Sequence, residues 1–163
     1  MGRILDHLLY PRWRALRAFP LRARKAVEAA VRASETTHSG ELRFVVEGGL
    51  DMAYLLRGVS SRQRAGELFH KLRVDRTKAQ SGVLIYVQLA DRRVEIHADR
   101  GIDSQVQEDT WRTICRLMEE AFAVGNFERG AVAGVEAVGR LLAAHFPAGK
   151  DDIDELPNAP EVL

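Results

Sequence analysis

Apolar and polar positions follow two different periods along the chain, and these periods separate predicted strands from predicted helices. Residues 82–89 are almost continuously apolar, as is typical of a strand covered on both faces. Residues 94–99 alternate apolar and polar side chains, which indicates a half-buried edge strand. In full, the predicted elements are a helix over 21–35, a strand over 41–47, a helix over 60–73, strands over 82–89 and 94–99, and helices over 104–125 and 127–146.

The order of these elements predicts the topology of the sheet. The first two strands are joined through a helix and should run parallel with a right-handed crossover. The second and third strands are joined by the short turn "ADRR" and should be antiparallel. Because apolar helical faces must cover both sides of the sheet, we expect an α/β fold, a three-layer α/β/α sandwich with a small mixed sheet of about three or four strands.

Two polar patterns mark predicted helix starts. Ser60 is followed three residues later by Gln63, which is the pattern of a capping box. Ser104 and Gln107 repeat this spacing. We therefore expect one helix to begin at each serine.

The two ends of the chain differ from its centre. Residues 1–19 form a basic amphipathic segment, residues 20–147 the predicted domain, and residues 148–163 an acidic tail without predicted regular structure. Pro11 lacks a backbone N–H donor and should split the first segment into two helical pieces. We expect both pieces to pack on the domain, and the alternatives are contact with an anionic membrane surface or with another protein.

Overall charge and cysteine content narrow the classes of function. The 163 residues carry 24 basic and 23 acidic side chains, so no strong overall field attracts nucleic acid or a membrane. Cys115 is the single cysteine and cannot form an internal disulfide, which is typical of a reducing, cytoplasmic protein. The apolar stripe around Cys115 favours a core position over a role as a nucleophile.

Topology also gathers polar residues at one edge of the sheet. Glu41 and Ser81 stand at the starts of the first two strands, and Asp99 stands at the end of the third, which runs back beside the second. Some of these residues have an alternative, purely structural role. His38 can be held by hydrogen bonds within its loop, and Asp99 and Asp103 can stabilise the dipole of the helix that follows them. The candidate binding residues at this edge are Glu35, His38, Glu41, Ser81, Asp99 and Asp103. Glu95 and His97 are expected to face solvent or a covering helix.

Several strings resemble the TPM-domain family, named for a thylakoid-lumen phosphatase, photosystem-repair proteins and a receptor modulator. They are "SGELRFVV", "RAGELFHKLRV", "SGVLIYVQLADRRVEIHADRGI", "AFAVGNFERGAVAGVEAV" and the ending "ELPNAPEVL". The chain is most similar to a compact bacterial branch that lacks a signal peptide and membrane anchor and is often encoded beside TPM-domain and LemA-type proteins. The resemblance implies an α/β/α sandwich and, in some members, weak acid-phosphatase activity or calcium binding at an acidic pocket.

Two loops depart from the pattern of this branch. An acid- and amide-rich loop is replaced by "DRTKAQS", which introduces Arg76 and Lys78, and a "GYGLEG"-like string becomes "ADRGID". We expect Arg76, Lys78 and Arg100 to supply positive charge near Glu41, Asp99 and Asp103, so that these three carboxylates hold Ca²⁺ or Mg²⁺ only weakly.

The sequence thus favours a cytoplasmic TPM-domain binding or accessory module. Its expected partner is an unidentified protein, of which a TPM-domain or LemA-type neighbour is one candidate. The alternative is a weak acid phosphatase dependent on a divalent cation. The sequence designates no catalytic residue, because it contains no recognised nucleophile motif, zinc spacing or phosphate-binding glycine loop.

Overall fold

A computed structural model of the protein describes residues 2–150 and 152–163. Its helices are α1 (Gly2–Leu8), α2 (Arg12–Ala18), α3 (Leu21–Glu35), α4 (Met52–Leu56), α5 (Ser61–Lys71), α6 (Arg100–Asp103), α7 (Glu108–Ala123) and α8 (Phe127–His145). Its strands are β1 (Glu41–Glu47), β2 (Gly82–Gln88), β3 (Arg93–Ala98) and β4 (Glu161–Val162), and a short 3₁₀ turn covers Val74–Arg76. Across the described residues, no helix combines the length and the apolar character needed to cross a bilayer.

The four strands form one mixed sheet in the order β3-β2-β1-β4. Strands β1 and β2 are parallel, with Glu41 opposite Gly82 and Glu47 opposite Gln88. Strand β3 runs antiparallel to β2, as the short connection predicts. Strand β4 adds a parallel partner on the free side of β1.

Side chains of the two central strands alternate between two separate cores. Leu42, Phe44 and Val46 of β1 join Val83, Ile85 and Val87 of β2 in the larger core, which α2, α3, α7 and α8 cover. On the other face, Val45, Leu84 and Tyr86 pack with residues of α5 such as Leu68 and Phe69. The predicted α/β/α sandwich is therefore confirmed.

Of the two predicted capping boxes, one is present and one is not. At the start of α5, the Gln63 N–H donates to Ser60 Oγ (3.2 Å) and the Ser60 N–H donates to Gln63 Oε1 (2.9 Å). The prediction that Ser104 begins a helix is wrong, because Asp99 caps a separate short helix, α6, and Ser104 ends it. Helix α7 begins only after Gln107, without a side-chain cap.

The amino-terminal segment folds as two helices separated at Pro11, and both pack on the domain as predicted. His7 of α1 and Ala15 of α2 are buried. Glycines permit this close packing, since a Cβ on Gly49 would collide with the His7 carbonyl oxygen and one on Gly48 would lie 2.8 Å from that of Tyr10.

The acidic tail is anchored on β1. The Arg43 guanidinium donates to the carbonyl oxygens of Pro157 (3.1 Å) and Ala159 (2.7 Å) and to the Glu161 carboxylate (3.0 Å). The last residues then form β4, which the sequence did not predict. This anchoring brings the acidic part of the tail to the start of β1.

Candidate functional site

Three carboxylates converge at the start of β1. One carboxylate oxygen from each of Glu35, Glu41 and Asp154 lies within 4.8 Å of the others. They line a pocket of about 200 Å³ that also includes His38 and Asn158. The site therefore joins the end of α3, the start of β1 and the tail.

The turn between α3 and β1 sets the positions of Glu35 and Glu41. The Ser39 N–H donates to the Phe146 carbonyl oxygen over 2.8 Å, which ties this turn to the end of α8. Gly40 allows the close approach, because a Cβ there would lie 2.6 Å from the Leu142 side chain. The two glutamates are thus held beside each other by a braced turn.

The tail contributes both a carboxylate and backbone hydrogen bonds. The N–H groups of Glu155 and Leu156 donate to the Glu41 carboxylate over 3.0 and 3.1 Å. These bonds place Asp154, the preceding residue, next to Glu41 and Glu35. Asn158 also lines the pocket, and its buried Oδ1 atom has no hydrogen-bond partner among the described residues.

Burial and mutual repulsion disfavour ionisation of the two glutamates. Burial, followed by the negative charges of Glu41 and Asp154, raises the pKa of Glu35 to about 8. Burial also raises the pKa of Glu41 to about 7, although the two backbone donors from the tail oppose this shift. The pocket therefore holds protons near neutral pH that a bound cation would displace.

His38 is part of the turn and does not point a free nitrogen into the pocket. Its Nδ1 lies 3.0 Å from the Gly40 carbonyl oxygen, and its Nε2 lies 2.7 Å from Ser34 Oγ. Because a carbonyl oxygen only accepts, we assign the proton to Nδ1, so that Nε2 accepts from the Ser34 hydroxyl. Burial lowers the pKa of this fully buried imidazole, which favours a neutral ring that braces the turn.

Ser81 lies beside Glu41, but its side chain is outside the acidic pocket. Its carbonyl oxygen accepts from the Glu41 N–H over 3.3 Å, and its own N–H donates to Thr77 Oγ1 over 3.0 Å. The Ser81 hydroxyl is buried and has no partner among the described residues. Ser81 therefore supports the start of β1 through its backbone.

Asp99 and Asp103 share the predicted edge of the sheet but do not join Glu41. Asp99 accepts the Arg100 N–H (2.8 Å) as the cap of α6, and Asp103 accepts from Trp111 Nε1 (3.2 Å). Since β2 separates β1 from β3, the ends of these strands are two strand spacings apart, about 10 Å. The predicted trio of Glu41, Asp99 and Asp103 is not formed, and the described carboxylates that come together are Glu35, Glu41 and Asp154.

Among the described residues, the basic side chains expected at this edge, those of Arg76, Lys78 and Arg100, are not paired with its carboxylates. Arg76 and Lys78 are exposed, and across the described residues neither forms an ion pair with a carboxylate. Lys78 contacts the tail only through its backbone N–H, which donates to the Glu155 carboxylate over 3.5 Å. Positive charge from this loop therefore does not occupy the acidic pocket.

A second groove, about 840 Å³ in volume, runs along β3 between α5 and α7. Glu95 accepts from Ser61 Oγ over 2.6 Å, and the His97 ring packs on Phe69 of the covering helix α5, with centroids 4.6 Å apart. Burial raises the pKa of Cys115 to about 12, so its thiol stays protonated. These contacts match the expectation that Glu95 and His97 meet a covering helix and that Cys115 belongs to the core.

The architecture places the protein among α/β/α sandwiches with a small mixed sheet and an acidic pocket at the start of a central strand. The TPM domain family matches residues 18–141, which is most of the chain. The chain therefore belongs to the TPM-domain family, and the resemblance drawn from its sequence is confirmed.

The fold recurs in solved structures of other proteins. The BA42 protein of the psychrophilic bacterium Bizionia argentinensis is 40% identical, with a TM-score of 0.75 over 86% of this chain and 92% of that chain. The N-terminal domain of a protein from P. gingivalis is 23% identical, with a TM-score of 0.58 and 72% of each chain covered, and shows the fold alone. No curated protein matches the chain.

Proposed function

We propose that the protein is a TPM-domain accessory module whose acidic pocket binds a divalent cation of the Ca²⁺ or Mg²⁺ class. The observation that supports this is the approach of Glu35, Glu41 and Asp154 to within 4.8 Å of one another. Carboxylate oxygens are the ligands these hard cations prefer. A cation would relieve the repulsion that raises the pKa of Glu35 and Glu41.

The position of the pocket suggests what the cation does. Glu35 and Glu41 belong to the body of the domain, whereas Asp154 belongs to the tail that Arg43 anchors. A cation held by all three would fasten the tail to β1. The proposed role of the cation is therefore to fix the tail in one position on the domain, and a partner recognises the domain in this arrangement.

The proposal also covers the cellular compartment of the protein and its partner. We place the protein in the cytoplasm, which the lone, half-buried Cys115 supports because a reducing compartment requires no disulfide. The proposed partner is another protein, with a TPM-domain or LemA-type neighbour as the first to test by pull-down from the source cell.

Calorimetric titration with CaCl₂ and with MgCl₂ tests the site. We expect binding with a dissociation constant above about 10 µM, because three carboxylates are fewer than the six to eight oxygens that calcium takes. Glu35→Gln and Asp154→Asn should each weaken it by about tenfold or more. Asp99→Asn and Asp103→Asn are the matched controls at the same edge and should leave it unchanged. Equal loss in all four variants, or no binding to the wild type, would contradict the proposal.

A weak phosphatase is the second candidate, because Glu35 and Glu41 have a pKa of about 8 and about 7 and can exchange a proton near neutral pH. Hydrolysis of p-nitrophenyl phosphate with added Ca²⁺ or Mg²⁺ separates the candidates. Turnover that Glu41→Gln abolishes and Asp99→Asn preserves would establish an enzyme at this pocket. Equal background hydrolysis in the wild type and both variants favours the accessory module.

A further inference from the structure

The two amino-terminal helices carry a second surface that the acidic pocket does not use. Leu5 and Leu8 are each 56% exposed, Leu9 is 57% exposed and Trp13 is 60% exposed. Single exposed apolar residues are ordinary on a protein surface, but a contiguous group indicates a contact with something apolar. We call Leu5, Leu8, Leu9 and Trp13 the N-terminal apolar patch.

Helical geometry places the patch on the side that faces away from the domain. Leu5 and Leu8 share one side of α1, and Leu9, which follows the helix and donates its N–H to the Leu5 carbonyl oxygen, continues that side, whereas the buried His7 lies on the opposite side. In α2, Trp13 lies opposite the buried Ala15. Leu9 and Trp13 line a common groove, which joins the exposed sides of both helices.

Positive charge surrounds the patch. Between residues 2 and 25 the chain has one acid, Asp6, and seven basic residues: Arg3, Arg12, Arg14, Arg17, Arg22, Arg24 and Lys25. Arg3 is paired with Asp91, and Arg22 lies 3.6 Å from Glu128. In the described part of the chain, Arg14 and Arg17 form no ion pair, and both line the groove that contains Leu9 and Trp13.

We propose that this face docks on an anionic lipid bilayer. Leucine and tryptophan side chains enter the headgroup region, and arginines beside them contact anionic headgroups, which is the pattern of an interfacial helix. A second copy of the chain is disfavoured as the occupant, because a symmetric contact would oppose Arg14 and Arg17 to their own copies. The positive charge of this face therefore favours an anionic lipid surface over a second copy of the chain as its partner.

The docking face is fixed before any contact with lipid. The His7 Nδ1 accepts from the Leu50 N–H over 2.9 Å, and His7 Nε2 lies 3.0 Å from Asp91. The Arg3 guanidinium donates two hydrogen bonds to the same carboxylate, each over 3.0 Å. Because α1 is already folded and held to the domain, binding requires no further ordering of the chain.

Co-sedimentation with vesicles tests the proposal. The full chain should bind vesicles of equimolar phosphatidylcholine and phosphatidylglycerol and bind pure phosphatidylcholine vesicles about tenfold less, with added salt weakening the binding. The combined change Leu5→Gln, Leu8→Gln and Trp13→Gln should lower the partition coefficient by about tenfold or more. Arg14→Glu with Arg17→Glu should do the same on the anionic vesicles.

A matched triple variant tests whether vesicle binding depends on this face or on exposed apolar residues in general. Leu56, Leu117 and Ile153 are exposed by 73%, 59% and 68% but lie outside α1 and α2, and their change to Gln should leave binding within about twofold of the wild type. Equal loss in both triple variants, equal binding to both vesicle types, or binding to neither overturns the proposal. Sedimentation velocity that shows a dimer lost only in the first triple variant also overturns it, because the occupant is then a second copy.

Discussion

Arg64 and Glu47 form a buried ion pair at the end of β1, with Nε–Oε2 and Nη2–Oε1 distances of 3.0 and 2.8 Å. Both side chains are 8% exposed. The Tyr86 hydroxyl donates to Glu47 Oε2 over 2.6 Å, and Arg64 Nη1 donates to the Tyr54 hydroxyl over 2.8 Å. This network satisfies both charges in the layer between the sheet and α5.

The first prediction is that Arg64→Leu lowers the free energy of unfolding by about 3 kcal/mol or more, because it leaves the Glu47 carboxylate buried without its partner. Urea denaturation measures the change. Arg62→Leu is the control on the same helix, since Arg62 is largely exposed, and should cost less than about 1 kcal/mol. An equal loss of unfolding free energy in the two variants would show that the buried Arg64–Glu47 pair contributes no more to stability than an exposed arginine does.

The second prediction concerns pH. The pKa of Glu35 is about 8 in the folded protein against 4.5 ordinarily, so the folded state binds more protons than the unfolded state between these values. Stability contributed by this group should therefore decrease as pH rises from about 5 to about 8 and then level off. Glu35→Gln should remove much of this slope and raise the free energy of unfolding at about pH 8 by about 1 kcal/mol.

Urea denaturation over the same pH range measures this slope, and Asp103→Asn provides the comparison because it lies at the same sheet edge outside the pocket. A free energy of unfolding that rises with pH in the wild type but not in Glu35→Gln would contradict the raised pKa of Glu35. Added Ca²⁺ should flatten the wild-type slope and leave that of Glu35→Gln unchanged, since the cation and the proton compete for the same carboxylates.

The third prediction links the tail to the cation. Arg43→Met removes three hydrogen bonds to the tail without altering any of the three carboxylates. We expect the Leu163 N–H, which donates to the Val46 carbonyl oxygen over 2.8 Å, to exchange with solvent about tenfold faster or more. Calcium affinity should fall as well, because Asp154 is no longer held beside Glu41.

Hydrogen exchange, followed by NMR, measures the opening of the tail. Calorimetry on the same variant measures the calcium affinity. Lys78→Met is the control, because the Lys78 side chain is exposed and only its backbone contacts the tail. Faster exchange with unchanged calcium affinity would show that Asp154 is not a ligand.

Most of the sheet could be predicted from the sequence because its signals are local. Residues 82–89 are apolar on both faces, and the connection to β3 is too short for anything but an antiparallel turn. The nearness of Glu35 to Glu41 also follows from a short turn. The second capping box failed because the same serine that resembles a helix start ends the four-residue helix α6, a boundary that periodicity does not mark.

The third carboxylate of the pocket could not be predicted in the same way. Asp154 reaches Glu41 because a two-residue strand, β4, pairs with β1 and because Arg43 binds the tail backbone. A two-residue strand has no measurable alternation, and its partner lies more than a hundred residues earlier in the chain. The acidic composition of residues 148–163 does not by itself indicate a contact with the start of β1.

The last prediction is that deleting residues 1–18 lowers the melting temperature by about 5 °C or more, which corresponds to a loss of about 2 kcal/mol for a chain of this length. The deletion removes the buried side chains of His7 and Ala15 and leaves the Asp91 carboxylate without the two groups that bind it. Thermal unfolding followed by circular dichroism measures the change. Trp13→Gln is the control, because Trp13 is exposed, and should shift the transition by less than about 2 °C. An unchanged melting temperature after the deletion would mean that α1 and α2 contribute no packing energy, and the N-terminal apolar patch would then belong to a detachable segment.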